Sequence, residues 1–291
     1  MDKQEALREG NSMDRIAIEK GSVQETLVIP LYARHVLAQM HPELYDGVDT
    51  GAIVNRVDYD FSDQKRLMGT KFGQFGALEV AQREYDLCEE ARAYLATHPQ
   101  AAVVNMGAGL LDVFSRVDNG EARGYNLDFP DVIAVRDQLM PAGERERNLS
   151  CDLNDFTWFD EIDASKGAIF VAAGVFYYFT TEQIRALLCA MAERFPGGTV
   201  AFDAVNRVGL KLMAKTVLDQ TGMADIGAYF CTDDAARELG SWSDRFARVT
   251  AKSYMNGYRP LGRRYGLLNA LLAKLSDSLV HMSIVHVDFA R

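Results

Sequence analysis

The residues best equipped for chemistry gather in one stretch, Ala101 to Pro130, AAVVNMGAGLLDVFSRVDNGEARGYNLDFP. An apolar run, Ala102-Val103-Val104, breaks at Asn105-Met106-Gly107-Ala108-Gly109. Closely spaced glycines there allow a tight turn and let the backbone approach a ligand. A second strand, Ala122 to Leu127, ends on Asp128, 19 positions after Gly109. That is where a nucleotide-binding βαβ unit places the carboxylate that takes a ribose hydroxyl pair. The pattern points to an adenosine-containing ligand, although a Gly-x-Gly turn after a strand also occurs as a plain tight loop. Leu110, Leu111 and Asp112 follow Gly109, so the third glycine of the dinucleotide fingerprint is missing. Its absence tilts the ligand away from NAD.

Other reactive side chains lie outside this stretch. Gly76 to Ala96 reads as a helix with one stripe of Leu78, Ala81, Tyr85 and Cys88 and a second of Val80, Leu87 and Tyr94. Arg83 falls on the second stripe. A guanidinium on an apolar face needs an anion, which is either a structural Asp or Glu or a ligand carboxylate that suits its planar fork. His35 sits with Tyr32 and Arg34 in the apolar segment Thr26–Met40, where Pro30 predicts an entry or kink. It is either structural or a general base toward a phenol, since imidazole titrates near neutrality. Tyr177 and Tyr178 follow a core strand and either pack or face a substrate. Arg259, Arg263 and Arg264 read as a solvated loop, with contact to an acidic substrate as the alternative.

Several elements must position these groups. After the glycine turn a strand–helix–strand rhythm predicts strands at 102–106, 122–127, 147–151, 167–172 and 198–203, separated by the helical or loop segments LLDVFSRV, PDVIAVRDQL, CDLNDFTWFDEID and TTEQIRALLCAMAERF. Such alternation predicts a mostly parallel sheet with helices on both faces. Thr180 or Thr181 is the expected N-cap of the last helix, and Gly197-Gly198 marks the return to strand. Downstream, helices are expected near Lys211–Gln220 and Asp233–Ser241, then a strand at Arg248–Tyr254. The helix LLNALLAKLSDSL and the closing strand SIVHVDFAR follow, which fits an antiparallel pair at one sheet edge. The expected organisation is a helical cap over 1–97 and a binding domain over 98–291, forming one compact unit.

Composition narrows the class. The 291 residues are 48% hydrophobic and 25% charged, an ordinary globular balance. A net charge of −10 argues against nucleic acid as partner, since phosphate binding needs a basic face. No apolar run approaches the roughly 20 residues of a membrane span, and the N-terminus lacks the apolar core of a secretion signal. Cys88, Cys151, Cys189 and Cys231 lie far apart, without metal-ligand or disulfide-framework spacing. They read as reduced thiols in a cytoplasmic protein, and the dispersed histidines give no metal motif.

The motifs, taken in order, resemble the S-adenosylmethionine-dependent O-methyltransferases of the leucine carboxyl methyltransferase family, including its tetracenomycin-pathway-like branch. VVNMGAG with VFSRVDNG looks like the family's glycine motif and Arg-Val-Asp segment. YNLDFPDVIAVRDQL, CDLNDFTWFDEID and AAGVFYYFTTEQIRALL look like its Asp-x-Pro, Asp-Leu…Trp and Glu-Gly-Val…Tyr segments. Upstream, IPLYARHVLAQ and VAQREYDLCEEARAYL look like its cap helices, so the resemblance spans roughly residues 25–205.

The resemblance implies a Rossmann-like class I methyltransferase fold, an α/β architecture with a seven-stranded mostly parallel sheet, an antiparallel last strand and an N-terminal helical cap. It implies S-adenosylmethionine as cofactor, S-adenosylhomocysteine as product and no metal. Asn105, Gly107, Ala108 and Gly109 would lie along the methionine–ribose part of the cofactor, and Asp128 with Phe129 at the ribose. Asp152 and Leu153 would lie beside the adenine, and Arg83 would pair with the methionine carboxylate. Ala173, Gly174 and Tyr178 match the Glu-Gly-Val-x-x-Tyr motif near the transferable methyl group, with Ala173 where the family has glutamate. The expected reaction is methyl transfer to a carboxylate, phenol or hydroxyl oxygen of a small molecule. A homodimer is one assembly open to it. Two alternatives remain: a catalytically impaired cofactor-binding protein, suggested by Ala173, and an NAD(P)-dependent oxidoreductase.

Overall fold

The structure, a computed structural model, describes residues 15–18, 24–42, 50–212, 229–255, 257–258 and 265–291. Most of the helix expected at Lys211–Gln220 and the arginines at 259, 263 and 264 lie outside these residues. Seven strands form the main sheet: β1 Ala102–Met106, β2 Arg123–Asp128, β3 Glu146–Ser150, β4 Ala168–Ala172, β5 Thr199–Ala204, β6 Phe246–Ser253 and β7 Ser283–Phe289. Their order is β3-β2-β1-β4-β5-β7-β6. The first five run parallel, and β7 inserts antiparallel between β5 and the edge strand β6. The last strand is therefore the antiparallel one, as expected.

Strand identity follows from burial. β1, β4 and β5 are buried at every residue, and their sequences are accordingly mostly apolar, unbroken in the AIFVA of β4 and interrupted by Asn105 in β1 and by Thr199 and Asp203 in β5. β1 has the expected bounds, and the other strand ends differ from the expected ones by at most two residues.

Helices α1 Glu25–Met40, α2 Thr50–Arg56, α3 Ser62–Met68 and α4 Lys71–Leu95 make the N-terminal layer, and Pro30 lies within α1. The segment LLDVFSRV supplies only one turn, α5 Phe114–Val117. Its first residues are spent on the loop, where Leu111 N–H donates to Ala108 C=O and the Asp112 carboxylate accepts from Ser115 N–H. Helices α6 Pro130–Leu139, α7 Thr181–Arg194, α8 Ala235–Gly240 and α9 Leu267–Leu275 complete the set used here. α7 starts with a capping box, in which Thr180 and Gln183 satisfy each other's backbone N–H groups. Among the described residues no helix is long and apolar enough to cross a membrane.

α4 decides the geometry. At its C-terminal end the Tyr94 hydroxyl meets Gly197 C=O and Ala168 N–H, where β5 and β4 begin. About three turns earlier, Arg83 meets Asp203 near the end of β5. The helix thus runs opposite to the parallel strands, and its first turns project beyond their carboxyl ends. Apolar residues surround it on the α1 and α3 side and on the sheet side, yet Glu84, Asp86 and Glu90 are buried too.

These acids are held by other elements. Glu84 lies between Arg34 of α1, at 3.1 Å, and Arg116 of α5, at 3.6 Å. Glu90 accepts from the Tyr258 hydroxyl and bonds His286 Nδ1 at 2.7 Å, while His286 Nε2 meets Asp288 at 2.7 Å. Burial pushes the Asp86 carboxyl up to about 8, against the hydrogen bond from Gln82.

Two outcomes follow from these buried groups. Replacing Glu84→Gln leaves two arginines without their shared anion, and denaturant unfolding is expected to show a loss of about 3–5 kcal/mol. For His286, burial lowers the pKa, but the hydrogen bonds and charges of Glu90 and Asp288 outweigh it and raise the imidazole above its ordinary range. The stability it contributes is fully present below the unfolded value of about 6.5 and is lost as pH rises through the folded value. The alkaline fall in unfolding midpoint is expected to flatten in His286→Gln; an unchanged slope would remove His286 as its source.

Candidate functional site

The chain leaves β1 toward β2 on one side, while β4 leads to β5 on the other, so β1 and β4 flank a topological switch point. Crevices outside the carboxyl ends of strands at such a point are where open α/β sheets bind ligands. The loops after β1 and β4 meet there. A Cβ on Gly107 would lie 2.6 Å from Val175 Cγ2, and one on Gly174 would lie 2.8 Å from Arg83 Nη1. Gly107, Gly109 and Gly174 have φ of 61°, 47° and 72°, a region that L side chains rarely adopt. Leu27 of α1 touches Gly109 from above. The structure thus brings Arg83, Gly107, Ala108, Gly109 and Gly174 to one place.

Asp128 ends β2 on the near side of this crevice. Its Oδ2 accepts from Gly109 N–H and its Oδ1 from Phe129 N–H, both at 2.8 Å. Burial raises its carboxyl above the ordinary range, against those two hydrogen bonds. Below the turn, Asn105 donates to Leu111 C=O and joins Asn126 and Asn148 in a polar ladder across β1, β2 and β3. Arg136 of α6 is also buried here and donates to the carbonyls of Gly109 and Leu111 at 2.8 and 2.9 Å. Asn105 and Arg136 therefore brace the glycine turn from beneath, and the Ala108 N–H is tied to Leu127 C=O.

The far side holds one residue that sequence reasoning missed, Asp203. Arg83 donates to Asp203 Oδ2 at 3.2 Å, Tyr177 OH donates to the same oxygen at 2.9 Å, and Gly174 N–H donates to Oδ1 at 2.6 Å. The anion that Arg83 needs in this structure is thus Asp203. Arg83 Nε is buried and has no hydrogen-bond partner among the described residues. Of the tyrosine pair, Tyr177 turns inward and Tyr178 is 42% exposed on the rim. Burial, then the charge of Asp203, holds the Tyr177 hydroxyl well above its ordinary range. The signal available in sequence was the position of Asp203, an acid closing an apolar strand as Asp128 does.

The remaining expected residues are more scattered. Asp152 is exposed beyond β3 and accepts from Asn154 N–H and Nδ2, while Leu153 is buried against Trp158. Phe129 is exposed at the start of α6, and Ala173 is half-buried against the core. His35 is half-exposed, bonded to Gln39 and beside Tyr32. It lies about 12 Å along α1 from Leu27, the α1 residue that touches the glycine turn.

This architecture has counterparts. The profile of the family described as Leucine carboxyl methyltransferase matches residues 21–192. The chain belongs to this family of S-adenosylmethionine-dependent methyltransferases. It is 31% identical over 185 residues to the tetracenomycin polyketide synthesis O-methyltransferase TcmP of Streptomyces glaucescens, spanning 63% of this chain and 66% of the relative. It is 24% identical over 285 residues to the S-adenosyl-L-methionine-dependent methyltransferase dpfgK of Gibberella zeae, spanning 92% and 94%. The fold is shared with a candidate methyltransferase from Thermobifida fusca, at TM-score 0.58 and 14% identity, covering 97% of this chain and 98% of that one. A DUF574 family protein from Streptomyces avermitilis also matches at TM-score 0.58, with 11% identity, over 90% and 99%.

Gly174 ties the far side together, so a side chain there has a defined effect. In Gly174→Ala the added carbon is strained at positive φ and meets the Arg83 guanidinium. A stability loss of about 1–2 kcal/mol or more is expected on denaturant unfolding; a neutral variant would mean that the loop is free to readjust.

Proposed function

We propose that the protein transfers the methyl group of S-adenosylmethionine to an oxygen atom of a small-molecule acceptor. The observation that carries this reading is the pairing of opposite chemistries across the switch-point crevice. On the β2 side, each Asp128 oxygen accepts one backbone N–H and keeps a free lone pair, which suits the two hydroxyls of a ribose. On the β5 side, the buried Nε of Arg83 awaits an acceptor, which suits a carboxylate. The glycine turn lies between them and gives close backbone approach. A nucleoside carrying an amino-acid tail fits this arrangement.

When bound, the cofactor supplies a methyl group already activated on a sulfonium. The protein's part is then to align acceptor oxygen and methyl carbon, which can account for much of the acceleration. Oxygen as the methylated atom is supported by the relative TcmP, an O-methyltransferase by name. In this assignment Arg83, Gly107, Ala108, Gly109, Asp128, Phe129 and Gly174 surround the cofactor, Asp152 and Leu153 flank its adenine, and Asn105 acts from beneath. Tyr178 stands at the acceptor side.

Calorimetric titration with S-adenosylmethionine, S-adenosylhomocysteine and NAD in parallel tests the reading. Saturable binding of the two sulfur compounds and none of NAD is expected. Asp128→Ala is expected to weaken that binding about tenfold to hundredfold, the effect of losing hydrogen bonds to a charged group. Binding of NAD alone, or of none of the three, overturns the assignment.

A further inference from the structure

Asn105, Asn126 and Asn148 stand directly opposite one another on β1, β2 and β3, so their amides share one face of the sheet. Asn126 Nδ2 donates to Asn148 Oδ1 at 3.0 Å, and Asn105 Nδ2 donates to Leu111 C=O at 3.2 Å. Arg136 of α6 closes this row. Its Nε donates to Asn148 Oδ1 at 3.2 Å, and its Nη1 donates to the carbonyls of Gly109 and Leu111 at 2.8 and 2.9 Å. Asn105, Asn126 and Arg136 are all buried. A buried guanidinium that donates to three neutral oxygens is a costly way to fill the space between a helix and a sheet, where aliphatic side chains pack without desolvating a charge. That cost falls at one place, because both carbonyls belong to the glycine turn.

Gly109 is the point of contact. It has no side chain and sits at φ 47°, so nothing of its own fixes the peptide groups on either side of it. Both are fixed from outside. Its N–H donates to Asp128 Oδ2 at 2.8 Å, and its C=O accepts from Arg136 at 2.8 Å. One residue thus links the buried cation to the carboxylate beside the crevice. Burial raises the Asp128 carboxyl, and the N–H groups of Gly109 and Phe129 and the charge of Arg136 pull it back down. Without Arg136 the Gly109 carbonyl loses its donor, and the glycine is free to turn its N–H away from Asp128.

We propose that Arg136 is a positioning residue for the cofactor: through Gly109 it holds the Asp128 carboxylate in place for the ribose diol. The proposal deepens the methyltransferase reading and rests on it. Arg136 lies beneath the turn and acts on the ligand only through Gly109 and Asp128. Its effect is therefore confined to ligands that carry the diol. Because the effect is transmitted through a shared residue, the contributions of Arg136 and Asp128 to affinity depend on each other. A merely structural arginine would lower stability and leave recognition of the diol intact.

The test measures calorimetric affinity for S-adenosylhomocysteine and for its 2′-deoxy analogue in wild type, Arg136→Met, Asp128→Asn and the double variant. Wild type is expected to prefer the diol compound about tenfold or more. Arg136→Met is expected to bind S-adenosylhomocysteine about tenfold more weakly and the deoxy analogue about as well as wild type does. Added to Asp128→Asn, it is expected to cost less than about a further twofold. Where Arg136→Met does not fold, Arg136→Lys takes its place. Lysine keeps the charge but not the planar fork, and a loss of at least about threefold is expected for S-adenosylhomocysteine alone. Unchanged affinity for both compounds in the folded Arg136 variant, equal losses for both, or losses that multiply in the double variant overturn the proposal. So does a wild type that binds S-adenosylhomocysteine without preferring the diol. A wild type that binds neither compound sinks the methyltransferase reading as well, whereas the other adverse results leave cofactor binding itself standing.

Discussion

Asp203 is the side chain on which the functional end of the molecule depends. A carboxylate withdrawn from water loses several kcal/mol of hydration, and only well-placed donors can offset that loss. Here a backbone N–H, a tyrosine hydroxyl and a guanidinium share its two oxygens. The donors come from the loop after β4 and from α4, which lie 29 and 120 residues away in the chain. One buried charge therefore fixes both the left-handed turn at Gly174 and the height of α4 over the sheet.

α4 passes that constraint on to the rest of the fold. Its polar residues each engage a different element: Glu84 reaches α1 and α5, Glu90 reaches β7, and Tyr94 reaches the starts of β4 and β5. Sliding the helix by one residue would rotate these groups by about 100° and strand every one of them. Apolar packing alone tolerates such shifts far better, because methyl groups accept many neighbours. The N-terminal layer then rests on a helix of fixed register. As a result, Leu27 of α1 comes to lie on Gly109, and the layer that covers the crevice is positioned by contacts made far below it.

This division explains what could be read from the sequence. β1, β4 and β5 were legible because buried strands are mostly apolar, β2 and β3 were legible from the alternation of strand and helix, and the N-cap of α7 is written in adjacent residues. Asp128 was legible because its distance from the glycine turn is set by one βα unit. The partner of Arg83 was not, since its need for an anion shows locally but Asp203 lies 120 positions away. Nor could the sequence choose between Tyr177 and Tyr178. Which of two adjacent rings turns inward is decided by the single 3-10 turn at Phe176–Tyr178 and by the Asp203 acceptor beneath it. Glu84, Asp86 and Glu90 look like a solvated face until a layer of helices is placed over them.

The departure at Ala173 takes on a different meaning in this setting. Ala173 immediately precedes Gly174, whose N–H is held by Asp203. The Ala173 side chain packs against the hydrophobic core, where a glutamate would have to bury a carboxylate. With alanine, Arg83 has Asp203 as its protein anion and retains a buried Nε. Two carboxylates stand apart, Asp128 beside the glycine turn and Asp203 under Arg83. Their separation leaves each with its own set of donors, whereas neighbouring carboxylates that share a site cannot all stay ionised.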